Sequence, residues 1–276
     1  MIRFSWSDTE LEYLSLSNED EQVVKFVRTT VLPILVRKTK CVDWLEVGPG
    51  PGTKTVQILR IFASDQHSRL ESLRLLEPSP KWRGYLRKVQ KPLFRSNNKT
   101  FVTLEGSKFE RYARREMVRP TEPMPNFMTF SHVLYERTLI DEVIRYLGYR
   151  ANQPKPLVAS IVVESEDSDF FELRQRLASA GYGVPFAGAP EIRRALAESG
   201  LPMEMSNVNG QYCKIPEGCS NGEWLLAFLL GCTRSSVRRM SQATRSDADL
   251  CIQDYIYAKR RRRLQVPDVA FTVTIV

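Results

Sequence analysis

The chain has 276 residues, 42% hydrophobic and 26% charged, which is the balance of a globular protein with a real core and not of a disordered or fibrous chain. Its five cysteines form no CxxC pair and its only histidines are His67 and His132, so neither a disulfide framework nor a His/Cys zinc site is expected. The formal net charge of +8 is densest in KRRRR at 259–263 and admits an acidic partner, but the simpler expectation is a solvated loop beside the last strand.

The opening MIRFSWSDTE has no apolar signal core. The longest apolar run, WLLAFLLGC at 224–232, is far short of the ~20 residues that span a bilayer. A cytoplasmic protein without membrane contact is expected. No internal repeat or low-complexity tract appears.

Along 19–37, Val23, Phe26, Val27 and Val31 recur at helical spacing. VDWLEV at 42–47 predicts a short buried strand, and Thr53 to about Ala63 predicts a helix. SLRLLEP at 72–78 is a second strand, closed by Pro78, and KWRGYLRKVQ at 81–90 a second helix. TFVTLEG at 100–106 and NFMTFSHVLY at 126–135 are the third and fourth strands, and the latter opens into the helix LIDEVIRYLG. PLVASIVVES at 156–165, rich in β-branched residues, is the fifth.

The last third differs. APEIRRALAESG at 189–200 is a helix stopped by Gly200, PMEMSNVNGQYC holds strand-forming residues, NGEWLLAFLLGC is a buried helix with Asn221 as its N-cap, and VAFTVTIV is a final strand.

Strands alternating with helices imply right-handed βαβ units. The expected fold is therefore α/β, with a Rossmann-like, doubly wound, mostly parallel sheet. Ligands of such sheets sit at the carboxyl ends of the strands, here Gly48–Gly52, Glu77, Glu105–Ser107 and Ser131–Tyr135. Helices after the fifth strand would shape a substrate pocket.

The loop GPGPG at 48–52 follows the first strand. A P-loop needs a glycine followed by Lys and Ser/Thr, but Thr53 stands at the glycine position, and two prolines remove N–H donors. A dinucleotide fingerprint also fails at Thr53, the third glycine position. Glycines still permit close backbone approach. A cofactor without phosphates, S-adenosyl-L-methionine (SAM), suits such a loop. Glu46 would orient the loop or meet the cofactor's ammonium group, and Glu77 would accept hydrogen bonds from the ribose hydroxyls. Gly48, Pro49, Gly50, Gly52, Ser79, Ser107 and Ser131 complete the expected cofactor set, with Ser107 on the adenine side. No metal is expected.

EVGPGPG at 46–52 resembles motif I of class I SAM-dependent methyltransferases, and LLEPS at 75–79 resembles their second motif. The likeness tightens toward the histamine N-methyltransferases. WSD at 6–8 resembles that family's Phe-Ser-Asp, LEPSP at 76–80 its Val-Glu-Pro-Ser, SHVLYE at 131–136 its Gln-Met-Leu-Tyr-Tyr, and SNGEWLLAFL at 220–229 its Asn-Gly-Asp-Leu-Leu-Trp-Asp-Phe-Leu.

The resemblance implies one methyltransferase domain over 1–276. An N-terminal helical cap would occupy 1–40, a cofactor-binding core 41–165, and a substrate-cap region with the C-terminal strands 166–276. S-adenosyl-L-homocysteine would be the by-product. Glu19 falls where the family has a substrate-binding Glu, and His132 where it has a Gln. Asp268 stands near the last strand, where the family has an Asn. Phe170 and Phe171 replace a Trp, and Arg174 falls near a second.

An attacking amine must lose its proton, so a base assists. An unperturbed histidine titrates near ~6.5. His132 and Glu19 are the expected catalytic residues. Trp6, Tyr13, Tyr135 and Phe170 would form an aromatic box for a planar or cationic substrate, with Arg174 for a carboxylate and Asp268 as a hydrogen-bond acceptor. The expected reaction is in-line methyl transfer to a small-molecule amine or imidazole nitrogen by a monomer or weak dimer. An RNA or protein acceptor and a non-catalytic, cofactor-binding scaffold are the alternatives.

Overall fold

In a computed structural model, residues 9–64, 68–90, 100–183, 186–215, 223–259 and 263–276 are described. The chain opens with α1 (Glu10–Leu16) and α2 (Glu19–Phe26), which continues through a π-helical turn at Val27–Val31 into α3 (Leu32–Lys38). Next come β1 (Cys41–Val47), α4 (Thr53–Ser64), β2 (Arg69–Leu76) and α5 (Pro80–Tyr85), the last extended by a π turn at Leu86–Gln90. They are followed by β3 (Phe101–Glu105), α6 (Phe109–Val118), β4 (Phe127–Ser131), α7 (Arg137–Ala151) and β5 (Leu157–Glu164). The remainder is α8 (Asp169–Ser179), α9 (Ala189–Ser199), β6 (Met203–Val208), β7 (Tyr212–Lys214), α10 (Glu223–Leu229), α11 (Arg234–Arg238), α12 (Gln242–Lys259), β8 (Arg263–Gln265) and β9 (Asp268–Ile275).

Internal contacts divide the chain into two compact units. The larger comprises 21–163, 187–208 and 269–276; the smaller comprises 1–20, 164–186 and 209–268. The larger is built on a seven-stranded sheet of order β3-β2-β1-β4-β5-β9-β6. β1 pairs in parallel with β2 and β4, β2 with β3, and β4 with β5. The Ser165 N–H bonds Pro267 O, which sets the end of β5 beside the start of β9 and makes β9 antiparallel to it. The Thr274 N–H bond to Pro202 O likewise opposes β9 to β6.

The central strands β1, β4, β5 and β9 are buried on both faces, as their apolar runs require. One core cluster joins Val23, Phe26, Val27 and Val31, the residues that carry the helical period of 19–37, to Trp44, Leu59, Phe62 and Leu73. The other joins α6, α7 and α9 through Phe109, Tyr112, Tyr146 and Ile192 to Phe130, Ile161 and Phe271. Local signals fix the helix ends. Ser168 caps α8 by accepting the Phe170 N–H at 3.1 Å. α9 starts with Glu191 accepting the Gly188 N–H at 2.9 Å and stops at Gly200, φ 68°.

Several boundaries depart from the sequence reading. The fourth strand ends at Ser131, not 135, because His132 takes φ 55° and turns the chain out of the sheet. β2 starts at Arg69, before the expected 72. The segment expected to hold one strand holds two, β6 and β7, separated by Gly210 at φ 86°. α6, α8 and α12 are additional helices.

The smaller unit packs α8, α10 and α12 around Leu173, Leu226, Phe228 and Ile252, with β7 and β8 paired antiparallel. Asn221 and Arg260–Arg262 lie outside the described residues. The charge excess does not lie with the KRRRR run. The smaller unit, which contains that run, has 13 Lys/Arg against 16 Asp/Glu, and the larger has 27 against 16. Among the described residues no helix is long and apolar enough to cross a membrane.

Candidate functional site

In the larger unit the strand order reverses between β1 and β4, the crevice where ligands of open α/β sheets bind. The glycine loop fills the β1 side. Gly48, Gly50 and Gly52 take φ of 65°, 56° and 79°, the left-handed region that disfavours any side chain. At Gly48 space is also decisive, because a Cβ would sit 2.5 Å from Val133 Cγ1. The loops after β1 and β4 are thus in direct contact. The loop amides are bonded internally: Gly48 N–H to Leu76 O at 2.8 Å, Gly50 N–H to Glu77 Oε2 at 3.1 Å, and Gly52 N–H to Pro49 O at 2.9 Å.

Glu77 follows β2 and is 4% exposed. Its second oxygen accepts the Ser79 N–H at 2.8 Å. Burial pushes its carboxyl up to about 7, against the opposing pull of the Ser79 and Gly50 N–H groups and the Arg83 guanidinium. Ser79 also caps α5, accepting the Trp82 N–H at 3.4 Å. Arg83 donates to Glu77 O at 2.9 Å and Pro78 O at 2.7 Å, and its Cζ lies 3.0 Å from where a Gly106 Cβ would stand. Gly106 is therefore the residue that lets Arg83 cross from β2 to β3. Glu46 is buried near the end of β1, between Leu75 and Thr129 of the flanking strands. Ser107 is half-buried after β3. Ser131 Oγ, at the end of β4, is buried without a hydrogen-bond partner among the described residues.

His132 follows directly. Its N–H donates to Val162 O at 2.9 Å, and its Nδ1 lies 3.0 Å from Tyr135 Oη. The structure thus gathers Glu46, Gly48, Pro49, Gly50, Gly52, Glu77, Ser79, Ser107, Ser131, His132 and Tyr135 at the carboxyl ends of β1–β4.

The smaller unit gathers a second set. Tyr13 Oη donates to Glu19 Oε2 at 2.7 Å, and its ring stacks on Phe228 at 4.6 Å and tilts against Phe170 at 5.8 Å. Burial, Glu19 and Asp268 together hold the Tyr13 hydroxyl well above its usual pKa, which places both carboxylates within electrostatic reach of it. Burial first, then Glu19, push the Cys213 thiol up to about 12. Asp268 is 2% exposed; Gln211 Nε2 donates to its carboxylate, and the Asp268 N–H donates to Gln211 Oε1 at 2.8 Å.

Arg174 forms a buried ion pair with Glu164, which also accepts the Ser168 hydroxyl at 2.7 Å. The Arg174 guanidinium lies 4.8 Å from the Phe186 ring centre, 5.4 Å from that of Phe228 and 6.0 Å from that of Phe170. These aromatic faces therefore already hold a cation of the chain itself. Trp6 lies outside the described residues.

Sequence reasoning missed Arg83, Val133, Glu164, Gln211 and Phe228. Phe228 sits in a run read only as a buried helix. Gln211 and Glu164 carry no local signal, because their partners are distant in sequence. Among the described residues no group of His, Cys, Asp or Glu is arranged to hold a metal ion.

No protein-family model matches the chain. No curated protein matches it. Similar solved structures include the plantazolicin methyltransferase BamL in complex with a triazolic desmethylPZN analog and SAH, at 11% identity and TM-score 0.49, covering 98% of this chain and 91% of that one. Loganic acid methyltransferase with SAH matches at 9% identity and TM-score 0.49, covering 92% and 93%. The [4+2]-cyclase SpnF matches at 14% identity and TM-score 0.44, covering 88% and 79%. At these identities and scores they add nothing to the fold already given by the strand order.

Proposed function

We propose that the chain is a SAM-dependent methyltransferase acting on a nitrogen of a small amine or imidazole. The observation that carries the cofactor is the engagement of the loop amides. The Gly48, Gly50 and Gly52 N–H groups all bond within the protein, and prolines stand between them. No glycine amide of the loop is left to cradle a phosphate, as an NTP or dinucleotide would need. The positive-φ glycines still offer close backbone approach, which is what a phosphate-free cofactor asks for.

The donor set fits SAM. Glu46 would meet its ammonium group, Glu77 its ribose hydroxyls, the glycine loop its amino-acid part, and Ser107 and Ser131 its adenine side. When bound, the cofactor supplies an electrophilic methyl group on a sulfonium. The chain's own residues supply position and proton acceptance.

His132, fixed through Nδ1 by Tyr135, accepts the proton that the acceptor nitrogen must lose. Glu19 and Asp268, buried close to Tyr13 in the smaller unit, are carboxylates that would suit an organic cation. The likeness of SNGEWLLAFL and SHVLYE to the histamine N-methyltransferases supports the choice of nitrogen over oxygen.

A transfer assay with methyl-labelled SAM tests this reading, with histamine, other amines, phenols and total RNA offered in parallel and cofactor binding measured separately by calorimetry. Label on an amine or imidazole is the expected result. Label on phenols or RNA alone would overturn the choice of acceptor. Absence of cofactor binding would overturn the whole reading.

A further inference from the structure

The basic excess of the larger unit is concentrated in one stretch. Residues 80–119 contain 12 Lys/Arg and three Asp/Glu, a surplus larger than that of the whole chain. Ordinary surfaces intersperse the two signs, and single-sign fields are a device for attracting a partner. Two of the three acids are already committed to arginines. Glu105 pairs with Arg74 and Arg115, and buried Glu116 pairs with the same two. Arg87, Lys88, Lys108, Arg111 and Arg119 are exposed and have no ion-pair partner among the described residues.

The fold places the described members of this set around one edge of the sheet. β3 is the edge strand. The helical segment before it packs Leu86 into the core on one face, and α6 after it packs Phe109, Tyr112 and Ala113 into the core on the other. Basic side chains therefore flank β3 on both faces, over a strand ~16 Å long. Phe101 opens that strand and is 71% exposed, an aromatic ring left in water at the same edge.

We propose that the β3 edge of the larger unit binds a single-stranded nucleic acid, with the cations following its phosphates and Phe101 stacking on a base. A flat anionic membrane meets one side of a surface. A flexible polyanion can follow both sides of an edge, which is where this charge lies. The proposal is independent of the methyl-transfer reading, because it concerns binding at a different edge and its test reads binding alone.

The test is fluorescence anisotropy of labelled 20-nucleotide RNA and DNA of mixed sequence with the full chain, from 50 to 200 mM KCl. Four to six phosphate contacts predict a fall in affinity of roughly 50- to 300-fold over that range. The R87E/K88E/R111E/R119E variant, checked for folding by circular dichroism, should lose at least ~30-fold in affinity. R260E/R261E/R262E, in the other basic run, should stay within ~3-fold. Phe101→Ala removes an exposed ring, leaves the core intact and should weaken binding about 10-fold; it serves should the four-site variant not fold. The RNA and DNA arms show whether ribose is preferred. Absence of binding at 50 mM KCl would overturn the proposal. So would loss of binding in the 260–262 variant but not the edge variant, or a preference for phosphatidylserine vesicles over both oligonucleotides.

Discussion

His132 Nδ1 lies 3.0 Å from the Tyr135 hydroxyl, on a backbone that His132 holds at φ 55°. A left-handed conformation costs a non-glycine residue about 1–3 kcal/mol and persists where the surroundings over-determine it. Here the His132 N–H bond to Val162 O supplies one restraint and the tyrosine the other. The tautomer follows from the tyrosine's role: a Tyr135 oxygen accepting from Nδ1–H leaves the second ring nitrogen unprotonated, whereas a donating Tyr135 hydroxyl leaves it protonated.

The first prediction concerns that pair. His132→Ala should lower kcat by ~10²–10⁴-fold while cofactor affinity stays unchanged. Tyr135→Phe should lower kcat less and displace the acidic limb of the pH–rate profile. A Tyr135→Phe enzyme with an unmoved profile would remove the tyrosine from the mechanism and leave it a packing residue.

The Glu77 carboxyl is pushed up to about 7 by burial, so on the proposed role of Glu77 cofactor binding should depend on pH. Ribose hydroxyls need the carboxylate, so affinity should fall ~10-fold between pH 8 and pH 6, and Glu77→Gln should bind weakly with no such slope. For the free protein the sign is opposite. The folded form holds a proton that the unfolded form releases above ~4.5, so this group's contribution to stability is lost as pH rises from ~4.5 through ~7. The fall in melting temperature of the cofactor-free protein between pH 5 and pH 8 should therefore be smaller in Glu77→Gln than in the parent, whatever the offset from the N–H acceptor that glutamine loses, and calorimetry with and without cofactor reads both effects.

Gly48→Ala combines positive φ with a Cβ 2.5 Å from Val133 Cγ1. It should cost about 2–4 kcal/mol of stability and most of the cofactor affinity. Val133→Ala removes the opposing methyl groups and should restore part of the stability but not the part due to φ. Denaturant melts of the two single variants and the double variant give the coupling.

Glu19 accepts its hydrogen bond from Tyr13 at the start of the smaller unit. Glu19→Gln keeps the shape and removes the charge. It should raise KM for an amine acceptor at least ~10-fold and leave cofactor affinity alone. An unchanged KM would assign Glu19 to folding and not to recognition.

Arg174 and Glu164 are a buried pair, so breaking it on one side leaves a buried charge without compensation. Arg174→Met should cost about 3–5 kcal/mol, and Arg174→Met with Glu164→Gln markedly less. Thermal melts of the single and the double variant decide the matter. Equal losses in the single and double variants would show that the packing against Phe170, Phe186 and Phe228 matters more than the charge.

The strands and the glycine loop were legible because their signals are local. β1, β3, β5 and β9 lie within a residue or two of the runs that predicted them; β1, β5 and β9 are buried and so near-continuously apolar, and β3 is marked by its short run of strand-forming residues. α6 was not legible, because FERYARREMV buries only Phe109, Tyr112, Ala113 and Glu116 and its arginines mask the period. The end of β4 was misplaced because nothing in NFMTFSHVLY announces that a histidine will turn left-handed.

By itself, the sequence determined the α/β alternation, the glycine loop and the acidic residue after the second strand, because each is written in neighbouring residues. Only the tertiary structure decided that β9 inserts antiparallel between β5 and β6, because an apolar run carries no address for its neighbour. It also decided that Tyr13, Glu19 and Asp268, from opposite ends of the chain, share one buried cluster, since their proximity is a product of chain folding. Finally, it assigned the charge excess to the larger unit and not to the one that contains the conspicuous arginine run, because the units are assembled from segments distant in sequence.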